Sequence, residues 1–137
     1  AAKLHHWNEQ AARGKVFESS AGFYLPNGAM RSPDCSFVSL QKWQKVREEN
    51  PKNFPYLVPE FVVEVRTFSD TLNALQAKMQ EWIDNGAMLG WLIDVQNKTI
   101  YVYRSAQEIV KIDTGKKLQG NDVLPGFSID TDYIFEY

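Results

Sequence analysis

Cysteine is nearly absent. Cys35 stands alone among 137 residues, which excludes an internal disulfide and fits a reducing, cytoplasmic setting. No apolar run approaches the roughly 20 residues of a membrane-spanning helix, and no signal peptide is visible. Charge of either sign is not in excess: the formal net charge is −2, so the whole molecule exerts no long-range pull on nucleic acid or membrane, although a local basic cleft is compatible with it. Internal repeats, low-complexity tracts and domain linkers are missing. The histidines are His5 and His6. As helical neighbours they leave on different sides, a poor arrangement for gripping one metal ion. The chain opens on Ala1 inside what reads as a helix. The expectation is one domain over residues 1–137, lacking an N-terminal segment.

What the chain has is apolar mass. Hydrophobic residues make up 44% and aromatics 13%, enough for a real core in one domain. Residues 1–13 read as a helix with Leu4, Trp7 and Ala11 at helical spacing, and Gly14 as its stop. Short strands are expected at 15–19 and 22–25, a turn at Pro26-Asn27-Gly28, and a strand over 33–38 with Asp34 at its start. Residues 39–49 read as a polar helix capped by Ser39, with Trp43 and Val46 on one side; 50–59 is a proline-containing loop. Ser69 or Asp70 is expected to cap a helix over 71–85 whose apolar stripe is Leu72, Leu75, Met79, Trp82 and Ile83. A buried strand over 89–95 follows. After a hairpin turn at 96–98 comes an outer strand over 99–104, then another over 108–113. A C-terminal segment should pack on the sheet by Phe127, Ile129 and Ile134. The pattern is α/β, a mixed β-sheet flanked by helices, with a right-handed βαβ crossover spanning 60–95.

The centre of that pattern is Pro59-Glu60-Phe61-Val62-Val63-Glu64-Val65-Arg66. Its apolar residues favour a buried strand. Period-2 geometry sets Glu60, Val62, Glu64 and Arg66 on one face and Phe61, Val63 and Val65 on the other. A carboxylate taken from water needs an arginine, a lysine or a metal beside it. The candidates around Glu64 are Asp34, Arg66 and Lys78. Two carboxylates converging from neighbouring strands suit a hard divalent cation such as Mg²⁺. Lys78 falls at the border of the buried helix face, beside Trp82, from where its ammonium can reach back toward the preceding strand and orient a water or face a phosphate.

The phrases LPNGAMRSPDCSFVS, VPEFVVEVRTFSD, LQAKMQEWIDNGAMLGWLIDVQNKTIYVYR and DVLPGFSID resemble the Uma2 (Uma-two) family of restriction-endonuclease-like proteins, within the PD-(D/E)XK nuclease superfamily. The resemblance runs from about residue 15 to 134. It implies a restriction-endonuclease-like core and Mg²⁺-dependent (or Mn²⁺-dependent) cleavage of DNA, with Asp34 and Glu64 as metal ligands. The superfamily lysine falls at position 66, where this chain has Arg66; Lys78 matches a substitute lysine on the following helix. The family's Ser-Pro-Ser after the glutamate is Thr67-Phe68-Ser69 here, a change expected to alter loop shape more than chemistry.

Three functions follow in order. The first is an endonuclease in which Asp34 and Glu64 hold the metal, Lys78 positions water and Arg66 steadies the phosphate. The second, motivated by Arg66, is a catalytically inactive nuclease fold that binds DNA or a protein. The third is a structural module. Nuclease sites of this kind often act as dimers, so a homodimer stays open. Lys42, Lys45, Arg47 and Lys52 with Trp43 form a cluster that can touch a phosphate backbone or simply be a solvated helix face. Cys35, pointing away from Asp34, reads as a small buried apolar residue.

Overall fold

The computed structural model describes residues 1–49 and 54–135. Helix α1 (Ala2–Ala11) leads into β1 (Gly14–Glu18), the short β2 (Phe23–Tyr24) and β3 (Met30–Arg31), then β4 (Cys35–Ser39) and α2 (Leu40–Glu49). After the loop come β5 (Phe61–Arg66), α3 (Leu72–Asp84), β6 (Leu89–Asp94) and β7 (Thr99–Arg104). The chain continues through β8 (Val110–Ile112), β9 (Lys117–Gln119), β10 (Ser128–Asp130) and α4 (Thr131–Phe135).

The main sheet has six strands in the order β1-β4-β5-β6-β7-β8. Only β5 and β6 run parallel; the other neighbours are antiparallel. The parallel pair is joined through α3, the crossover expected from sequence. The alternation read from the central strand holds. Phe61 and Val63 belong to one buried cluster with Leu4, Trp91 and Phe127, closed by α1 and the C-terminal segment. Val62 belongs to the other, with Leu75, Met79 and Trp82 of α3 and, at its margin, Trp43 and Val46 of α2. The sheet is therefore covered on both faces, which is why β5 and β6 read as near-continuous apolar runs.

Three expectations change. Gly14 does not stop α1. The helix ends at Ala12, in the left-handed region at φ 51°, whose N–H bonds Asn8 O. Gly14 instead opens β1, because a Cβ there would run into Val38 O and the Phe37 ring. The cap of α3 is Thr71, which accepts from Ala74 N at 3.1 Å, rather than Ser69 or Asp70. Strand β7 is not outermost: β8 covers it, and four of its six residues are buried. The pairings β2–β3 and β9–β10 form small ribbons of their own, and β3, β9 and β10 were not expected as strands. Ser39, by contrast, does cap α2, its Oγ accepting from Lys42 N at 3.4 Å.

Candidate active site

Strands β4 and β5 pair antiparallel with Cys35 opposite Val63 and Ser36 opposite Val62. Continuing that register by one residue sets Asp34 level with Glu64. The polypeptide bonds across this step reciprocally. Asp34 N donates to Glu64 Oε1 at 3.3 Å, and Val65 N donates to Asp34 Oδ2 at 2.7 Å. Asp34 is exposed where β4 begins, whereas Glu64 is buried with 2% of its side chain exposed. The acids thus meet where the core opens to solvent.

Lys78 and Trp82, one turn apart on α3, both face Glu64. Lys78 Nζ lies 3.4 Å from Glu64 Oε2, and Trp82 Nε1 donates to the same oxygen at 3.4 Å. The Lys78 side chain keeps 38% exposure, so its charge reaches inward from the solvent edge. With Arg31, Ser32 and Glu81 it lines an open hollow of about 570 Å³. Glu64 is pushed above its ordinary pKa of 4.5, first by burial, with Asp34's charge adding to the rise and Lys78 and the hydrogen bonds opposing it. The opposite face carries an apolar hollow of about 410 Å³ in which Asp34 is the one acid among the lining residues.

Arg66 is not brought to Glu64. Its cross-strand neighbour on β6 is Asp94, and Arg66 Nη1 bonds Asp94 Oδ2 at 3.1 Å while Nε donates to Asp70 O at 3.4 Å. Asp94 has a fully buried side chain. Burial pushes its carboxyl up, but hydrogen bonds from Asn97 and Arg66 outweigh that and hold it below the usual 3.8. Asp94 and the Trp82 donor were missed in the sequence. An acid closing the apolar run LGWLID was the available signal for Asp94, but its partner depends on strand register.

The remaining candidates go elsewhere. Lys42 Nζ donates to Val58 O at 2.7 Å and lies 3.8 Å from Glu60; Arg47 lies over the Trp43 ring, which packs on Phe17. Lys52 lies outside the described residues. His5 faces Glu18 at 3.9 Å, and Cys35 is buried on the α1 face. Among the described residues no group of three or more His, Cys, Asp or Glu side chains could hold a metal, and no helix is long and apolar enough to cross a membrane.

A six-stranded mixed sheet flanked by helices, with paired acids at the β4–β5 step, defines a restriction-endonuclease-like α/β fold. The profile of Uma2, described as "Putative restriction endonuclease", matches residues 1–132. The chain belongs to the Uma2 family. Among solved structures, a "putative nuclease belonging to DUF820" from Anabaena variabilis shares the fold at a TM-score of 0.81 and 17% identity, over 98% of this chain and 74% of that one. No curated protein matches the chain in sequence.

Proposed function

We propose that this chain is a metal-dependent endonuclease of PD-(D/E)XK type that hydrolyses phosphodiester bonds in DNA. The observation that carries the reading is the reciprocal bonding of Asp34 and Glu64 across the β4–β5 step, with Lys78 on the buried acid. A pair of carboxylates is a sufficient protein donor set for Mg²⁺ or Mn²⁺, since such an ion completes its shell with waters and substrate phosphate oxygens. When bound, the cation would polarise the phosphodiester and lower the pKa of an attacking water.

The protein's own groups then have distinct tasks. Val65 N and Asp34 N hold the two carboxylates in place. Trp82 fixes Glu64 from the buried side and keeps bulk water from it. Lys78 orients the attacking water and offsets charge developing on the phosphate. Arg66 stays protonated and is unsuited to be a base. Held by Asp94 and Asp70, it positions the end of β5, and a phosphate entering the site is a further partner for its remaining N–H groups.

The test is cleavage of supercoiled plasmid by the purified chain. Nicking in Mg²⁺ or Mn²⁺ should vanish in EDTA and fall about a hundredfold or more in Asp34→Ala. Unchanged cutting by Asp34→Ala would mean a contaminant. Salt-sensitive DNA binding without turnover in any divalent ion would favour the inactive, DNA-binding alternative.

A further inference from the structure

The turn between β5 and α3 holds a side chain that the proposed chemistry does not use. Phe68 is 98% exposed, more than any other large apolar residue described. A single exposed apolar residue is ordinary by itself. What sets this one apart is its mounting. Thr67 N and Oγ1 both donate to Asp70 Oδ2, at 3.1 and 2.7 Å, and Asp70 N donates back to Thr67 O at 3.2 Å. Thr67 O also accepts from Gln96 Nε2 at 3.2 Å, and Asp70 O from Arg66 Nε at 3.4 Å. The polar groups on either side are cross-linked to one another at the surface. Asp70, the acid of the turn, spends its carboxylate on Thr67, whose hydrogen bonds hold its pKa down. The tip therefore carries a ring on a braced support, with the ionised Asp70 carboxylate tied to Thr67 beside it.

Its position relates it to the paired acids. Glu64 lies four residues before Phe68 on β5, and Lys78 lies on the helix that the turn feeds. Four extended residues span about 13 Å at most, and successive base pairs rise about 3.4 Å. Phe68 thus lies no farther from Glu64 than about four base steps of a duplex.

We propose that Phe68 is a wedge that enters the base stack of bound DNA near the scissile phosphate, and that the protein accordingly favours duplex that is already open there. The inference rests on the DNA reading above. A rigid apolar side chain inserted at a base step unstacks it, and the cost of unstacking is least where a base is unpaired. The occupant is DNA because the turn stands at the carboxyl ends of the parallel strands β5 and β6, beside the acids.

The experiment compares wild type, Phe68→Ala and Phe68→Trp in EDTA. The ligands are a fully paired duplex and the same duplex with one unpaired 2-aminopurine. Wild type should bind the open duplex about tenfold more tightly, the scale of one base–aromatic stack, and change the 2-aminopurine fluorescence. Phe68→Ala should lose both effects with its melting curve unchanged, since the ring touches little of the fold; Phe68→Trp should keep them. Equal preference and equal fluorescence change in wild type and Phe68→Ala overturn the wedge. Wedge signals without cleavage in Mg²⁺ or Mn²⁺ leave it standing and count against the nuclease reading. Failure to bind any duplex at low salt overturns both.

Discussion

Glu64 and Asp94 are both acids on buried strands, and their surroundings move them in opposite directions. Glu64 has its pKa raised chiefly by burial. Between its unfolded value near 4.5 and the higher folded one, the native state binds the extra proton, so its contribution to stability falls as pH rises through that window. In EDTA at neutral pH, Glu64→Gln should therefore raise the melting temperature, by on the order of 1 kcal/mol of stability, and in Mg²⁺ it should abolish the proposed cleavage. A lowered melting temperature would make the Lys78 pair a net stabiliser instead. Asp94 has its pKa lowered, so its contribution is present above the unfolded value near 3.8 and is lost as pH falls through the folded one. Arg66→Met leaves that carboxylate buried without its guanidinium and should cost about 3 kcal/mol in urea denaturation at neutral pH. The deficit should shrink as pH falls from 3.8 through the lower folded value, where the wild-type carboxylate also protonates. An unchanged urea midpoint would mean Arg66 contributes nothing to Asp94.

Helix α3 is the element that delivers Lys78 and Trp82 to the acid, so its seating matters more than its propensity. It lies close against β6 because Gly90 has no side chain: a Cβ there would meet the end of Met79. Its start is held by Thr71. Thr71→Ala should cost about 1 kcal/mol, read as a lower urea midpoint, and a null effect would place the cap elsewhere. The sequence made Ser69 or Asp70 the cap because all three are good cap residues. Asp70 is unavailable because Thr67 takes its carboxylate, a competition visible only once the turn is folded. Gly14 was misread as a helix stop for a similar reason. Glycine reads alike whether it serves a turn or a close approach, and here it is the approach of Val38 and Phe37 that requires it.

At the scale of the molecule, one sheet divides two apolar clusters, and the acids sit where a covered strand reaches solvent. The net charge of −2 provides no general attraction to DNA, so under the proposed function binding would come from local cations such as Lys78 and Arg66. Affinity should consequently fall steeply with added salt, and Lys78→Ala should flatten the log–log slope by about one unit. A slope unaffected by that substitution would remove Lys78 from the phosphate path. The central crossover and the covering helices were legible because each is a continuous local pattern. Strands β2 and β8 fall within expected strands at 22–25 and 108–113, but β3, β9 and β10 were not legible, since two or three residues with no longer alternating stretch around them carry too little pattern.

The order of the longer elements, the two faces of the central strand and the identity of Asp34, Glu64 and Lys78 as candidates were legible in the sequence alone, because period 2 and period 3.6 are properties of a few neighbouring residues. Tertiary structure decided the partners. Asp34 bonds across to Val65 and Glu64, Lys78 turns to Glu64, and Arg66 turns away to Asp94. Those choices depend on which strands lie side by side and in what register, and register is set by the burial of whole faces rather than by any local stretch of chain.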